Sequence, residues 1–278
     1  RAYADALAVN PRFHQARINA GLVAERQGRD VDAATHWLAV AEGVVDGRTD
    51  AAPFATVALN HLGRLQEARR HYAAAESALA HSLQIDPAQP DAIQHWVHLR
   101  QKQCTWPIYA PLPGLTVNDL MASTSPLAML AMLDDPAMQW LAAQSFVARK
   151  YQFDEVERPP RRATTDHLRI GYLSGDLCTH AVGLLMAELL EAHDRTRVHL
   201  TAFDFSPEDG TAHRARLRAA FNEMVDIRAM DDRAAAEAIR DRDIDVLIDM
   251  HGLSSGARPG ILALRPARFI GTYLGFIG

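Results

Sequence analysis

The chain has 278 residues, 48% of them hydrophobic, enough to bury one large or two ordinary cores, so two globular units are expected and disorder is excluded as the main state. Its 29 basic and 34 acidic residues give a formal charge of -5, which offers no broad cationic face to a nucleic-acid backbone. The two cysteines, Cys104 and Cys178, lie far apart in no metal-binding spacing, excluding a disulfide framework and a Cys-based zinc site; they fit a reducing cytoplasm.

No apolar run approaches the ~18 to 20 residues that span a bilayer, so a membrane is not an expected partner. The chain begins at Arg1 rather than Met, which leaves a removed signal or further N-terminal repeats open.

Residues 1–106 are rich in Ala, Leu, Gln and Arg at helical spacing and contain a repeat. Gly21, Ala33 and Trp37 recur as Gly63, Ala75 and Leu79 with identical internal spacing, offset by 42 residues. That exceeds the ~34-residue period of TPR helix pairs, and the excess fits an insertion at Asp46-Gly47-Arg48-Thr49-Asp50, which is turn-forming. Pro11 and Pro87 stand where such a repeat closes its second helix. Small residues let the paired helices approach, Trp37 and Leu79 fill the space between pairs, and each pair needs a neighbour to bury its second face. An ordinary helical bundle with accidental periodicity is the competing account.

Residues 107–165 are expected to form a helical connector. Pro107, Pro111 and Pro113 break the array, Leu127-Ala128-Met129-Leu130 and Trp140-Leu141 suggest two short packed helices, and Glu157-Arg158-Pro159-Pro160-Arg161-Arg162 reads as a solvated boundary.

From residue 166 to 278 the period changes. Strands are expected at Leu168 to Ser174, Val198 to Phe205, Met224 to Ile227, Asp245 to Asp249 and Phe269 to Leu274. Helices are expected near Ala181 to Ala192, Thr211 to Phe221, Asp232 to Arg240 and Pro259 to Leu264. This alternation implies a doubly wound parallel α/β sheet of Rossmann type, whose ligands sit beyond the carboxyl ends of the strands.

Three strand-to-helix loops should therefore emerge at one edge: Ser174 to His180, Asp249 to Gly256, and Leu274 to Gly278. They supply Asp176, His180, His251 and Ser254 as polar side chains. His180 opens a helix, where the positive end of the macrodipole favours the neutral ring, able to take a hydroxyl proton or donate to a phosphate oxygen. Plainer roles fit as well: Asp176 as a helix cap, His180 bonded to a loop carbonyl, His251-Gly252 as a turn. No G-x-G-x-x-G or G-x-S-x-G motif is present to suggest a dinucleotide oxidoreductase or a serine hydrolase.

The order of repeats, Gln103-Cys104-Thr105-Trp106, Leu168-Arg-Ile-Gly-Tyr-Leu-Ser-Gly-Asp176 with His180, Phe205-Ser-Pro-Glu-Asp-Gly-Thr211 with Arg214, Gly256-Ala-Arg258, Leu264-Arg-Pro-Ala267 and Leu274-Gly275 resembles the O-GlcNAc transferase family, in particular its bacterial members. The resemblance implies a GT-B fold of two Rossmann-like lobes, of which residues 166–278 would be the first. It also implies inverting transfer of N-acetylglucosamine from UDP-GlcNAc to Ser or Thr of a protein or peptide acceptor guided by the repeats, with no metal or other cofactor. It assigns Asp176 and His180 to catalysis. His251, Ser254, Ser255 and Arg258 fall on a loop that touches acceptor and sugar, and Leu274, Gly275 and Ile277 on one that lies against the sugar.

Relatives often carry Pro at the position of Ile277, Asn at that of His251, and Tyr-Thr-Lys in place of Leu253-Ser254-Ser255. The connector histidines of animal members have no counterpart in Ala122 to Met129. The resemblance further implies that the second lobe, with the Lys and His residues that hold UDP, is not in this sequence. A related transferase using another UDP-sugar or an Asn acceptor, and a non-catalytic repeat scaffold with a degenerate lobe, are the alternatives.

Overall fold

The computed structural model describes residues 2–45, 51–151, 159 and 167–276, so the expected turn at 46–50, most of the boundary at 157–162, and Ile277 lie outside the described residues. The chain divides into two compact units, Arg1–Ser145 and Phe146–Gly278.

The first unit opens with α1 (Ala2–Val9), α2 (His14–Arg26), α3 (Asp30–Val45), α4 (Ala52–Ala68), α5 (Tyr72–Ile85) and α6 (Pro90–Lys102). Helices α2 and α3 form one pair and α4 and α5 the next, and the expected small-residue contacts hold them. A β-carbon at Gly21 would stand 2.4 Å from the Trp37 indole nitrogen, and one at Gly63 would stand 2.9 Å from Leu79 Cγ. Trp37 and Leu79 are buried, each side chain stabilising the array by roughly 1.5–3 kcal/mol.

Three further helices follow: α7 (Val117–Ser123), α8 (Pro126–Met132) and α9 (Pro136–Lys150). The connector thus holds three helices rather than two short ones, because each start carries its own signal. Thr116 and Asp119 form a reciprocal capping box, Ser125 caps α8, and the Asp135 carboxylate accepts the Ala137 N–H at 2.9 Å. Ile108, Leu115 and Leu120 bury against Trp96, Val97 and Leu99 of α6, so the start of the connector completes the core of the last repeat.

The second unit is a five-stranded sheet built from β1 (Leu168–Ser174), β2 (Val198–Asp204), β3 (Glu223–Asp226), β4 (Val246–Asp249) and β5 (Phe269–Thr272). Between them run α10 (Ala181–Glu191), α11 (Ala212–Ala219), α12 (Asp232–Arg240) and α13 (Pro259–Ala263). All pairings are parallel, in the order β3-β2-β1-β4-β5. Alternate residues of the central strands face opposite layers. Ile170, Tyr172, Leu200 and Ala202 pack with Met186, Leu190 and Leu217, while Leu173, Phe203 and Leu247 pack with Ala235, Ile239 and Ile261. The order reverses between β1 and β4, which puts a ligand crevice beyond their carboxyl ends. This is the doubly wound lobe read from the alternation of periods.

Candidate functional site

The loops after β1 and β4 meet at that reversal point. In the first, the Asp176 N–H donates to Ser174 Oγ at 3.0 Å, and the chain turns through buried Leu177 and Cys178 into α10. The cap of α10 is His180, not Asp176: its Nδ1 accepts the Val182 N–H at 3.3 Å. Helix α10 is drawn close against the loop, since a β-carbon at Gly183 would lie 2.3 Å from the Cys178 carbonyl and 2.9 Å from that of Asp176. Burial, followed by the negative charges of Asp209 and Asp176, pushes the Cys178 thiol up, so it stays protonated and is not a nucleophile.

Asp176 Oδ2 stands 3.5 Å from His180 Nδ1 and 3.5 Å from His251 Nε2, so three of the expected residues come together. His180 is about half exposed, whereas His251 is only 4% exposed. His251 Nε2 accepts the Gly175 N–H at 2.8 Å and its Nδ1 lies 3.3 Å from Ser254 Oγ. Ser255 and Leu274 are exposed and Ser254 is half-buried. Gly275 packs against the backbone of His251 and Gly252, and the Leu253 N–H donates to the Phe276 carbonyl at 2.7 Å, so the loops after β4 and β5 are joined through their backbones.

Arg258, expected at the substrate, is engaged by the protein itself. Its Nε donates to Asp232 at 2.9 Å, Nη1 to the Ile227 carbonyl at 3.0 Å and Nη2 to the Met230 carbonyl at 2.8 Å, so the guanidinium pins the loop after β4 to the segment before α12.

Several supporting residues, some of them quoted in the sequence motifs, were given no site role by sequence reasoning. Asp204 and Arg214 form a buried pair at 2.5 Å, and Arg214 also donates to the Leu177 carbonyl at 2.6 Å. The Leu177 N–H donates to Ser206 Oγ at 2.8 Å, and the Thr179 N–H to Asp209 at 2.8 Å. Those backbone hydrogen bonds, from Thr179 first and Thr211 second, hold the Asp209 carboxyl well below the ordinary carboxylate range. Asp249 accepts the N–H groups of His251 and Gly252 at 3.2 and 2.7 Å. A signal was present: β2 and β4 both run apolar into a terminal Asp, a residue that hydrophobic strands carry at a cost unless it is bonded.

Chemically, the arrangement offers a carboxylate beside a solvent-accessible imidazole on a loop held from three sides. Among the described residues no cluster of three or more His, Cys, Asp or Glu side chains is arranged to hold a metal ion, and no helix is long and apolar enough to cross a membrane.

Residues 144–278, which include this edge, match the profile of glycosyl transferase family 41. A probable UDP-N-acetylglucosamine-peptide N-acetylglucosaminyltransferase of Arabidopsis thaliana is 27% identical over 201 residues, covering 66% of this chain and 21% of the relative. The UDP-N-acetylglucosamine-peptide N-acetylglucosaminyltransferase of Caenorhabditis elegans is 39% identical over 110 residues, covering 39% of this chain and 10% of the relative. A mutant O-GlcNAc transferase of Thermobaculum terrenum shares the fold, with a TM-score of 0.57 and 22% identity over 95% of this chain and 50% of that one. The chain therefore spans about a fifth or less of these curated relatives and half of the solved one. Within the matched stretch, β1 and its loop carry Asp176 and His180, and the loop after β4 carries His251 and Ser254.

Proposed function

We propose that the chain is part of an inverting glycosyltransferase that moves N-acetylglucosamine from UDP-GlcNAc to Ser or Thr hydroxyls of proteins, with the helical repeats guiding the acceptor and no metal taking part. The observation that carries this is the Asp176–His180 pair at 3.5 Å, placed at the strand-order reversal of the stretch that matches family 41. The names of the relatives in Arabidopsis and Caenorhabditis supply the donor and the peptide acceptor.

In this reading the acceptor hydroxyl oxygen attacks the anomeric carbon while the bond to the nucleotide's phosphate oxygen breaks, and UDP leaves with the electron pair. His180 contacts the reacting centre. Its Nδ1 accepts the Val182 N–H, so the neutral ring carries its proton on Nε2 and donates from there to a reacting oxygen, while the adjacent Asp176 carboxylate takes the hydroxyl proton. Holding both reactants in line can supply ~7 to 11 kcal/mol, and the base a further ~100- to 10,000-fold. Ser254, Ser255, Leu274, Gly275 and Ile277 serve the sugar and acceptor, and His251 and Arg258 support the loop they sit on.

Incubation of the full-length protein with labelled UDP-GlcNAc and its native acceptor proteins tests this. Label on Ser or Thr that disappears in His180→Ala supports the reading. Binding of acceptor with no transfer from any UDP-sugar would turn it over in favour of a repeat scaffold.

A further inference from the structure

The contacts of His251 leave it no freedom to act on a substrate and give it another task. The Gly175 N–H, 2.8 Å from Nε2, can only donate, so Nε2 must present its lone pair. The ring is 4% exposed and lies against Phe205, centroid to centroid 5.2 Å. Its single proton therefore sits on Nδ1, where the partner is Ser254 Oγ at 3.3 Å. Both nitrogens are used within the protein.

The nearest acid, Asp176, stands 3.5 Å from that occupied Nε2, where no hydrogen is available to bridge them. The same oxygen, Oδ2, is 3.5 Å from His180 Nδ1. Neither ring nitrogen facing this carboxylate carries a hydrogen to share with it, since His180 Nδ1 accepts the Val182 N–H. The backbone of residue 251 is itself held, since its N–H donates to buried Asp249 at 3.2 Å.

We infer that His251 is a positioning residue of the proposed transfer site: as a neutral imidazole protonated on Nδ1, it fastens the β1 loop at Gly175, leaves the Asp176 carboxylate unbound by its own ring, and makes the Ser254 hydroxyl an outward donor. This rests on the transferase reading for its purpose, but the tautomer and the fastening stand independently of it. The loops after β1 and β4 come from strands paired side by side, and His251 to Gly175 is a side-chain bond that joins them.

Long-range proton–nitrogen spectra of the full chain with labelled histidine, assigned by His251→Gln, read the tautomer directly. The inference expects protonated Nδ1 and unprotonated Nε2 at neutral pH. A ring protonated on Nε2, alone or together with Nδ1, would overturn it. Amide exchange at Gly175 provides the second reading. His251→Leu should speed it by about tenfold through loss of the acceptor, and His251→Gln, whose Oε1 reaches the place of Nε2, should restore it to within about threefold. Equal exchange in all three proteins would also overturn it. Should His251→Leu fail to fold, the tautomer and the Gln variant still decide. Where the parent transfers sugar, the Leu variant should lose turnover about 100-fold with donor KM little changed, and the Gln variant should keep most of it. A parent that transfers no sugar but shows the expected tautomer would remove the transferase reading and leave the fastening role intact.

Discussion

Gly275 lies so close to Gly252 that a β-carbon at position 275 would stand 2.5 Å from the Gly252 nitrogen and 2.4 Å from the His251 carbonyl carbon. Gly252 has a φ of +58°, and a β-carbon there would fall 1.9 Å from the Phe276 carbonyl oxygen. Two loops of the candidate site are thus seated backbone on backbone, with no room for a side chain between them. Gly275→Ala should cost about 1–3 kcal/mol by overpacking. Gly252→Ala should cost at least as much, because its backbone conformation adds strain. Urea unfolding of each variant checks this, and unchanged midpoints would mean the loops are not seated as described.

The same reasoning applies to the repeats. Gly21→Leu and Gly63→Leu would drive a side chain into Trp37 or Leu79 and should each destabilise the helical unit by roughly 1–3 kcal/mol. Thermal unfolding followed by circular dichroism reads the effect. A stable Gly63→Leu protein would favour an ordinary bundle over closely paired helices.

How much of this was legible in the residues depended on the range of the interaction. Leu168 to Ser174 and Asp232 to Arg240 were readable to the residue because period and breakers are local signals. The edge bearing Asp176 and His180 followed from strand alternation. The helix cap did not: residue preferences favour Asp176 over His180, yet the close approach of Gly183 to the loop carbonyls decides where α10 begins. Arg258 looked like a ligand-facing cation because nothing in the chain order shows that Asp232 and two carbonyls engage each of its three nitrogens. The Asp204–Arg214 pair was hidden for the same reason.

Asp204→Ala should be among the most damaging substitutions in the sheet unit. It would leave Arg214, whose side chain is 3% exposed, charged and with only the more distant Glu208, 3.6 Å from Nε, opposite it, at a cost of about 3–5 kcal/mol. It would also loosen the Leu177 carbonyl that Arg214 holds beneath the His180 loop. A loss under 1 kcal/mol in urea unfolding would show that the pair does not secure the loop.

Asp209 links the loop to pH. Its carboxyl is held well below the ordinary carboxylate range, so its contribution to stability is complete above the unfolded value near ~3.9 and drains away as pH falls through the lowered folded value. Asp209→Asn should remove that contribution and flatten the loss of stability on acidification below about pH 4. Urea midpoints measured against pH for both proteins test the point. Parallel curves would contradict it.

The central claim is that His180, beside Asp176 at the strand-order reversal, serves the reacting centre. The decisive measurement is turnover of His180→Ala in the full-length protein, with native acceptor and saturating UDP-GlcNAc, together with donor affinity and a folding check. The account predicts a loss of at least ~100-fold in turnover with donor affinity nearly unchanged, and a comparable loss for Asp176→Asn if the two act together. Near-normal transfer by folded His180→Ala would contradict it and leave His180 as the cap of α10.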